Sequence, residues 1–267
     1  MQLAQLSPYK TFRLPYFYRC PHRTKRTFMK RIHLISSPRN LSTALMYSFA
    51  QRSDTKVVDE PFYAHYLSQT NVNHPGRDEV LSSQSSNLQE VLQKVVFAPI
   101  SKDILFIKNM TSHINIIEAD FLTALTNIIY IRNPKQIIAS YAQVVQQNIQ
   151  PSEIGTIQQY NLYQELKANH QNPIVLDSGE LLKNPALMLE KLCAACGIPF
   201  SDKMLRWEAG GIPEDGVWAK YWYANVHQST GFQKQRTSER ELPPHLEPLY
   251  EQLRPYYEKM REQSILL

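Results

Sequence analysis

Several large classes of protein are excluded by what this chain lacks. Its three cysteines, Cys20, Cys193 and Cys196, do not make a disulfide framework for 267 residues, which points to a reducing compartment. No apolar run approaches the roughly 18 to 20 residues that a membrane-spanning helix needs, and no charged-then-apolar leader opens the chain. A cytoplasmic protein with no membrane partner is therefore expected. No internal repeat or heptad run appears. Residues 36 to 43 contain neither Gly nor Lys, so the triphosphate-binding loop G-x-x-x-x-G-K-[ST] does not fit.

Acid is missing from residues 1 to 28, which hold Lys10, Arg13, Arg19, Arg23, Lys25 and Arg26. Removing those six charges from the net +5 of the whole chain leaves −1 for residues 29 to 267. The basicity thus belongs to a tail, and no nucleic-acid partner is expected for the rest. The tail is rich in Tyr, Phe, Pro and Arg without period and stops just before Met29. It reads as a disordered extension or a wrongly assigned start. A transit peptide or a nucleic-acid arm is the alternative, the former weakened by scarce Ser.

With 43% hydrophobic residues, the remainder can bury a sizeable core and fits one α/β domain over residues 29 to 267. Short apolar runs at 31–36, 56–59, 103–108, 127–131 and 173–177 read as buried strands. Helical patterns lie between them at about 42–52, 88–97, 114–124, 134–147 and 153–169, and another runs from Leu242 to Glu262 with an interruption at Pro255. Strand alternating with helix predicts a central, mostly parallel sheet covered on both faces, with ligands outside the carboxyl ends of its strands. The polar stretch 68–87 is long for a connection and reads as a mobile lid or substrate loop. Cys193 and Cys196 close an apolar run that ends at Gly197, so they read as core residues near a helix C-cap rather than a metal pair.

Two segments carry chemistry. From Arg31 to Leu45 an apolar run passes through a turn bearing Ser37, Arg39 and Asn40 into a helix opened by Ser42 and Thr43. The first N–H groups of a helix lack partners and carry partial positive charge, so such a turn suits a phosphate. From Asn127 to Tyr141 a second apolar run ends at Arg132, and Ser140 follows eight residues later in a helical pattern.

In this order the two segments resemble the sulfotransferase superfamily that uses 3'-phosphoadenosine 5'-phosphosulfate (PAPS). The resemblance extends over roughly residues 31 to 232 and is nearest to a bacterial-type branch with P-R-N-x-S-T-A-L-M, D-E-P and G-V-W-A-K-Y-W-Y segments. It implies a three-layer P-loop-like α/β fold with PAPS as sulfuryl donor. It also implies that Ser37, Arg39, Asn40, Ser42 and Thr43 surround the 5'-phosphosulfate, while Arg132 and Ser140 hold the 3'-phosphate. Leu41 stands where many relatives have Gly, so the loop is expected to do without a positive φ there. Arg39 replaces a frequent Lys and acts by charge alone. Sulfuryl transfer is positioning and electrostatics, and the small charge of the sulfuryl group makes a metal dispensable.

Two candidates for the general base emerge. Glu60, in Asp59-Glu60-Pro61, would lie beside the phosphate loop if its strand neighbours the first, and related enzymes carry a comparable E-P element. His113 comes five residues after Lys108, whereas relatives place a His close behind the strand lysine. Their bland readings are a helix-capping carboxylate and a satisfied core histidine. Lys108 ends a strand run and reads either as a sulfuryl-binding charge or as a solvated lysine. Trp218 and Lys220 lie where relatives close a loop over the nucleotide, which would let Trp218 stack on adenine and Lys220 meet a phosphate. An aromatic run there also suits a core. Asp177 reads as a helix N-cap. The acceptor is a small molecule with a hydroxyl or amine, and Phe62, Tyr63 and Tyr66 suit many such ligands. The rivals are a Mg²⁺- and nucleoside-triphosphate-dependent phosphotransferase and a non-catalytic nucleotide-binding module. Oligomeric state stays open.

Overall fold

The computed structural model describes residues 29–143, 149–233 and 240–266. The basic stretch 1–28 lies outside the described residues, as does most of the end of the helix expected to reach residue 147. Five strands, β1 (Lys30–Ser36), β2 (Thr55–Asp59), β3 (Ile104–Met110), β4 (Thr126–Ile131) and β5 (Ile174–Asp177), form one sheet in the order β2-β3-β1-β4-β5. Every neighbouring pair is parallel. Burial on both faces explains why the strands read as apolar runs without alternation.

The helices are α1 (Ser42–Ala50), α2 (Tyr63–Gln69), α3 (Arg77–Ser83), α4 (Leu88–Val91), α5 (Thr111–Ile114), α6 (Pro134–Tyr141), α7 (Pro151–Ile154), α8 (Thr156–Ala168), α9 (Ser178–Lys183), α10 (Pro185–Cys196), α11 (Ala219–Trp222), α12 (Ala224–His227) and α13 (Glu247–Arg261). On one face of the sheet, Leu45, Met46 and Phe49 of α1 and Leu189, Leu192 and Cys193 of α10 join a core with Ile32, Leu34 and Phe106. On the other face, Leu162 and Leu166 of α8 and Met260 of α13 join Ile35, Leu105, Ile107 and Ile129. Three layers result, and none of the described helices is long and apolar enough to cross a membrane.

The structure corrects several expectations. β2 does not neighbour β1, because β3 lies between them. At the usual strand spacing of about 4.8 Å this sets the end of β2 roughly 10 Å from the loop after β1. The pattern at 114–124 breaks into the short α5 and a 3₁₀ segment Ala119–Ala124. The stretch 68–87 is not a bare loop, since it contains α3, whose Val80 is fully buried beside Tyr63, Leu67 and Trp218. Gly76 begins that helix at φ 73, and a Cβ there would stand 2.4 Å from the Tyr221 ring, so close packing and backbone conformation both call for glycine. α13 runs through Pro255 because that residue is exposed, where the carbonyl it leaves without an N–H partner can meet water, while Leu253, Tyr257 and Met260 anchor the opposite face. Cys193 and Cys196 are free and buried, and Gly197 closes α10 at φ 68.

Candidate active site

At the carboxyl ends of the strands, Ser36 of β1 stands opposite Met110 of β3 and Tyr130 of β4. The loop that follows β1 therefore lies between the elements leaving those two neighbours. Asn40 donates its side-chain amide to the Tyr130 carbonyl. Ser37 Oγ donates to Gln159 Oε1 at 2.7 Å, and Gln159 Nε2 donates to Tyr130 O at 2.9 Å and to Ile35 O at 3.4 Å. These contacts hold the loop on a path with Arg39 at φ 57 and Leu41 at φ 59. Leu41 thus takes the positive φ that its side chain was expected to preclude. The left-handed conformation costs a non-glycine residue about 1–2 kcal/mol, and packing of the partly buried Leu41 side chain against the α1 core offsets part of it. Strain of this kind persists where surrounding contacts over-determine the backbone.

Leu41 is also the N-cap of α1 and offers no side-chain acceptor. The first-turn N–H groups of α1 are left without a side-chain cap, and among the described residues neither the Ser42 nor the Thr43 hydroxyl has a protein partner. Arg39 Nε donates to Ser140 Oγ at 3.1 Å, and Arg132 Nη1 donates to the Arg39 carbonyl at 2.5 Å. Arg132 Nε donates to Gln136 Oε1 at 3.0 Å, whereas Nη2 is buried without a partner. Burial, reinforced by the charge of Arg240, lowers the pKa of Arg39. Burial, with Arg39 adding to the push, lowers that of Arg132. Neither guanidinium pairs with a carboxylate among the described residues. Two partly desolvated cations thus stand beside a helix N-terminus without a side-chain cap, an arrangement whose chemistry suits an anion.

A second cluster occupies the ends of β2 and β3. Lys108 Nζ donates to Asp59 Oδ1 at 2.9 Å, to Glu60 Oε1 at 2.5 Å and to the Tyr223 hydroxyl at 2.7 Å. Its three N–H bonds are all used, and the side chain is 1% exposed. Lys108 is therefore neither a solvated lysine nor a charge free to bind a sulfuryl group. Glu60, at φ 41, is bonded through its own N–H to the Lys108 carbonyl at 2.8 Å. Its second oxygen stands 3.7 Å from Nδ1 of His113. Burial pushes the Asp59 carboxyl up to about 6, against the opposing pull of Lys108.

His113, in α5, is buried with its ring stacked on Tyr63 at 4.7 Å between centroids. Its Nδ1 has no hydrogen-bond partner. Burial, then the charges of His74 and Lys108, hold its pKa well below the usual histidine range, so the ring is neutral at neutral pH. Thr111, two residues earlier, donates its hydroxyl to the Ser36 carbonyl at 3.0 Å. That bond ties the start of α5, the helix that carries His113, to the last residue of β1.

Trp218 has no open face. Its indole is 2% exposed, meets Tyr63 edge-on at 5.2 Å, covers Gly216 and donates to the Tyr223 hydroxyl at 3.0 Å. Lys220 is exposed and pairs with both oxygens of Glu79, at 2.9 and 2.7 Å. The aromatic segment instead engages the carboxylates through Tyr223, a residue that the sequence reading passed over within the same motif. Gln159 was passed over too, although a Gln at the buried spacing Thr156, Gln159, Tyr163 was a signal. Asp177 is the N-cap expected, accepting from Gly179 N at 2.6 Å and from Glu180 N at 3.2 Å.

An all-parallel sheet of this order, with a loop after β1 that passes into α1 and an arginine after β4, defines a P-loop-like α/β class. Residues 29–264 match the family described as "Sulfotransferase domain", and the chain belongs to that family. Branched-chain-amino-acid aminotransferase-like protein 1 of Arabidopsis thaliana is 40% identical over 231 residues, covering 86% of this chain and 41% of the relative. Branched-chain-amino-acid aminotransferase-like protein 2 of the same plant is 38% identical over 237 residues, covering 87% and 42%. The chain thus spans about two fifths of the length of these relatives. Among solved structures, the sulfotransferase domain of the Synechococcus PCC 7002 olefin synthase matches with a TM-score of 0.55 at 16% identity, over 90% of this chain and 98% of that one. Mouse sulfotransferase SULT7A1 complexed with PAP matches with a TM-score of 0.50 at 13% identity, over 88% and 89%. These structural likenesses establish the fold.

Proposed function

We propose that this protein transfers a sulfuryl group from PAPS to a hydroxyl or amine of a small-molecule acceptor. The observation that carries the reading is the buried, unpartnered Nη2 of Arg132 beside Arg39 and Ser140, with no carboxylate paired to either guanidinium among the described residues. Arg132 and Ser140 would hold the 3'-phosphate. Arg39, the first-turn N–H groups of α1 and the Thr43 hydroxyl would neutralise charge that builds on the 5'-phosphate as the acceptor oxygen or nitrogen bonds to sulfur and the bridging S–O bond breaks. The electron pair of that bond stays on the 5'-phosphate, releasing adenosine 3',5'-bisphosphate.

For the acceptor's proton, His113 fits better than Glu60. It is neutral, it lies in α5 just past the end of β3, the strand next to β1, and a carboxylate facing Nδ1 favours the tautomer that leaves Nε2 as acceptor. Glu60 already neutralises Lys108 and would orient the imidazole, an interaction that commonly tightens once substrate is bound.

Calorimetric titration of the full chain with adenosine 3',5'-bisphosphate, AMP and ATP, without and with Mg²⁺, tests this reading. Metal-independent preference for the bisphosphate is expected. Preference for ATP with Mg²⁺ would transfer the assignment to phosphoryl transfer, and no binding of any of the three would leave a fold that has lost its nucleotide.

A further inference from the structure

The Tyr223 hydroxyl occupies an unusual position among the charges at the ends of β2 and β3. Its oxygen accepts N–H donors from Lys108 at 2.7 Å and Trp218 at 3.0 Å, which fills both lone pairs. Its single proton goes to Asp59 Oδ2 at 2.7 Å rather than to Glu60 Oε1 at 3.5 Å. Gly216 N, at 3.4 Å, is a further donor to the same Asp59 oxygen. Asp59 is thereby satisfied without taking more than one Lys108 proton. Lys108 is free to place its shortest bond on Glu60, and Glu60 Oε2 remains as the oxygen turned to His113.

We propose that Tyr223 is a positioning residue that keeps the Lys108 ammonium shared between Asp59 and Glu60, and so fixes how much of the Glu60 charge His113 experiences. This assignment rests on the base role given above to His113. The groups that face His113 are Glu60, Lys108, His74, Tyr63 and Tyr66. Glu60 is the carboxylate among these described groups, with Oε2 3.7 Å from Nδ1, and Lys108 screens it. Without the Tyr223 hydroxyl, Lys108 loses an acceptor and Asp59 Oδ2 loses a donor. The two compensate each other directly, drawing the ammonium toward Asp59 and uncovering the Glu60 carboxylate. Burial of His113 is unaltered, so its proton affinity rises and its value as a base near neutral pH falls.

The test is a pH titration of histidine side-chain nitrogens by NMR in the ¹⁵N-labelled full chain, with His113 assigned by its loss in His113→Gln. In Tyr223→Phe the His113 midpoint should rise by about one pH unit, while adenosine 3',5'-bisphosphate binds as in the wild type. A purely structural role would lower the melting temperature and leave that midpoint where it was, which overturns the proposal. Should Tyr223→Phe fail to fold, Trp218→Phe frees one lone pair on the Tyr223 oxygen, and a smaller rise is expected there. An unmoved midpoint in that folded variant is equally fatal. The titration needs no nucleotide. A moved midpoint in a chain that binds no bisphosphate would sink the sulfuryl-transfer reading and leave Tyr223 in its role. Bisphosphate binding with an unmoved midpoint would do the reverse.

Discussion

Arg132 grips Arg39 by its backbone: Nη1 of the first donates to the carbonyl oxygen of the second at 2.5 Å, across 93 positions of sequence. The Arg39 side chain is left to reach Ser140 at 3.1 Å. The loop after β1 and the segment after β4 are thus one unit, and among the described residues neither arginine is paired with a carboxylate.

Replacing Arg132 with Ala should weaken adenosine 3',5'-bisphosphate binding about 100-fold, since a charge-assisted hydrogen bond is worth roughly 1.5–3 kcal/mol. AMP, which has no 3'-phosphate, should lose far less. Calorimetry on both ligands checks the pair, and equal losses would remove Arg132 from the 3'-phosphate.

At Leu41 two variants separate strain from packing. Leu41→Ala and Leu41→Gly both lose the side chain that packs against the α1 core, but only glycine tolerates φ 59 without cost. Leu41→Gly should therefore be more stable than Leu41→Ala by about 1 kcal/mol in urea unfolding. The order expected from ordinary backbone entropy is the opposite.

For the proton transfer, His113→Ala should reduce turnover by about 10² to 10⁴ and spare bisphosphate affinity. Glu60→Gln should spare binding as well and reduce turnover less. Rates with labelled PAPS and a screened acceptor provide the comparison. Full activity in His113→Ala would return the base to Glu60.

Acid should destabilise the protein partly through His33. This residue is fully buried on β1, with Nδ1 3.3 Å from Asn127 Oδ1 and Nε2 3.0 Å from Asn109 Nδ2. Burial pulls its pKa down to about 4, against a raising bond to Asn127. The folded value lies below the unfolded one, so the stability it contributes is present above pH ~6.5 and is lost as pH falls toward 4, about 2–3 kcal/mol by pH ~4.5. Asp59, raised to about 6, acts oppositely, its contribution being lost as pH rises from about 4 to about 6. Urea midpoints at neutral and acid pH should therefore converge in His33→Gln relative to wild type.

The strands were legible because a sheet covered on both faces needs continuous apolar runs, and Ile32, Leu34 and Ile35 are all fully buried. Strand order was not legible, since nothing in Thr55 to Asp59 says that β3 rather than β1 is its neighbour. α3 was hidden because its seven residues bury Val80 alone and so show no stripe. The turn from β1 into α1 was readable from residue types, yet the φ of Leu41 was not, because distant contacts through Asn40 and Arg132 impose it. Tyr223 was missed for a related reason: its partners lie 115 and 164 residues away at Lys108 and Asp59.

Gln159 carries a consequence for how the site tolerates its surroundings. One amide, fixed to Ser37, Tyr130 and Ile35, sets the gauge between the loop after β1 and the strand that presents Arg132. An amide neither titrates near neutral pH nor attracts counter-ions. Beside the charged Arg132–Arg39 link, the two segments are therefore also spaced by a neutral part, whose hold does not weaken under swings of acidity and salt that alter the strength of the charged contacts around it.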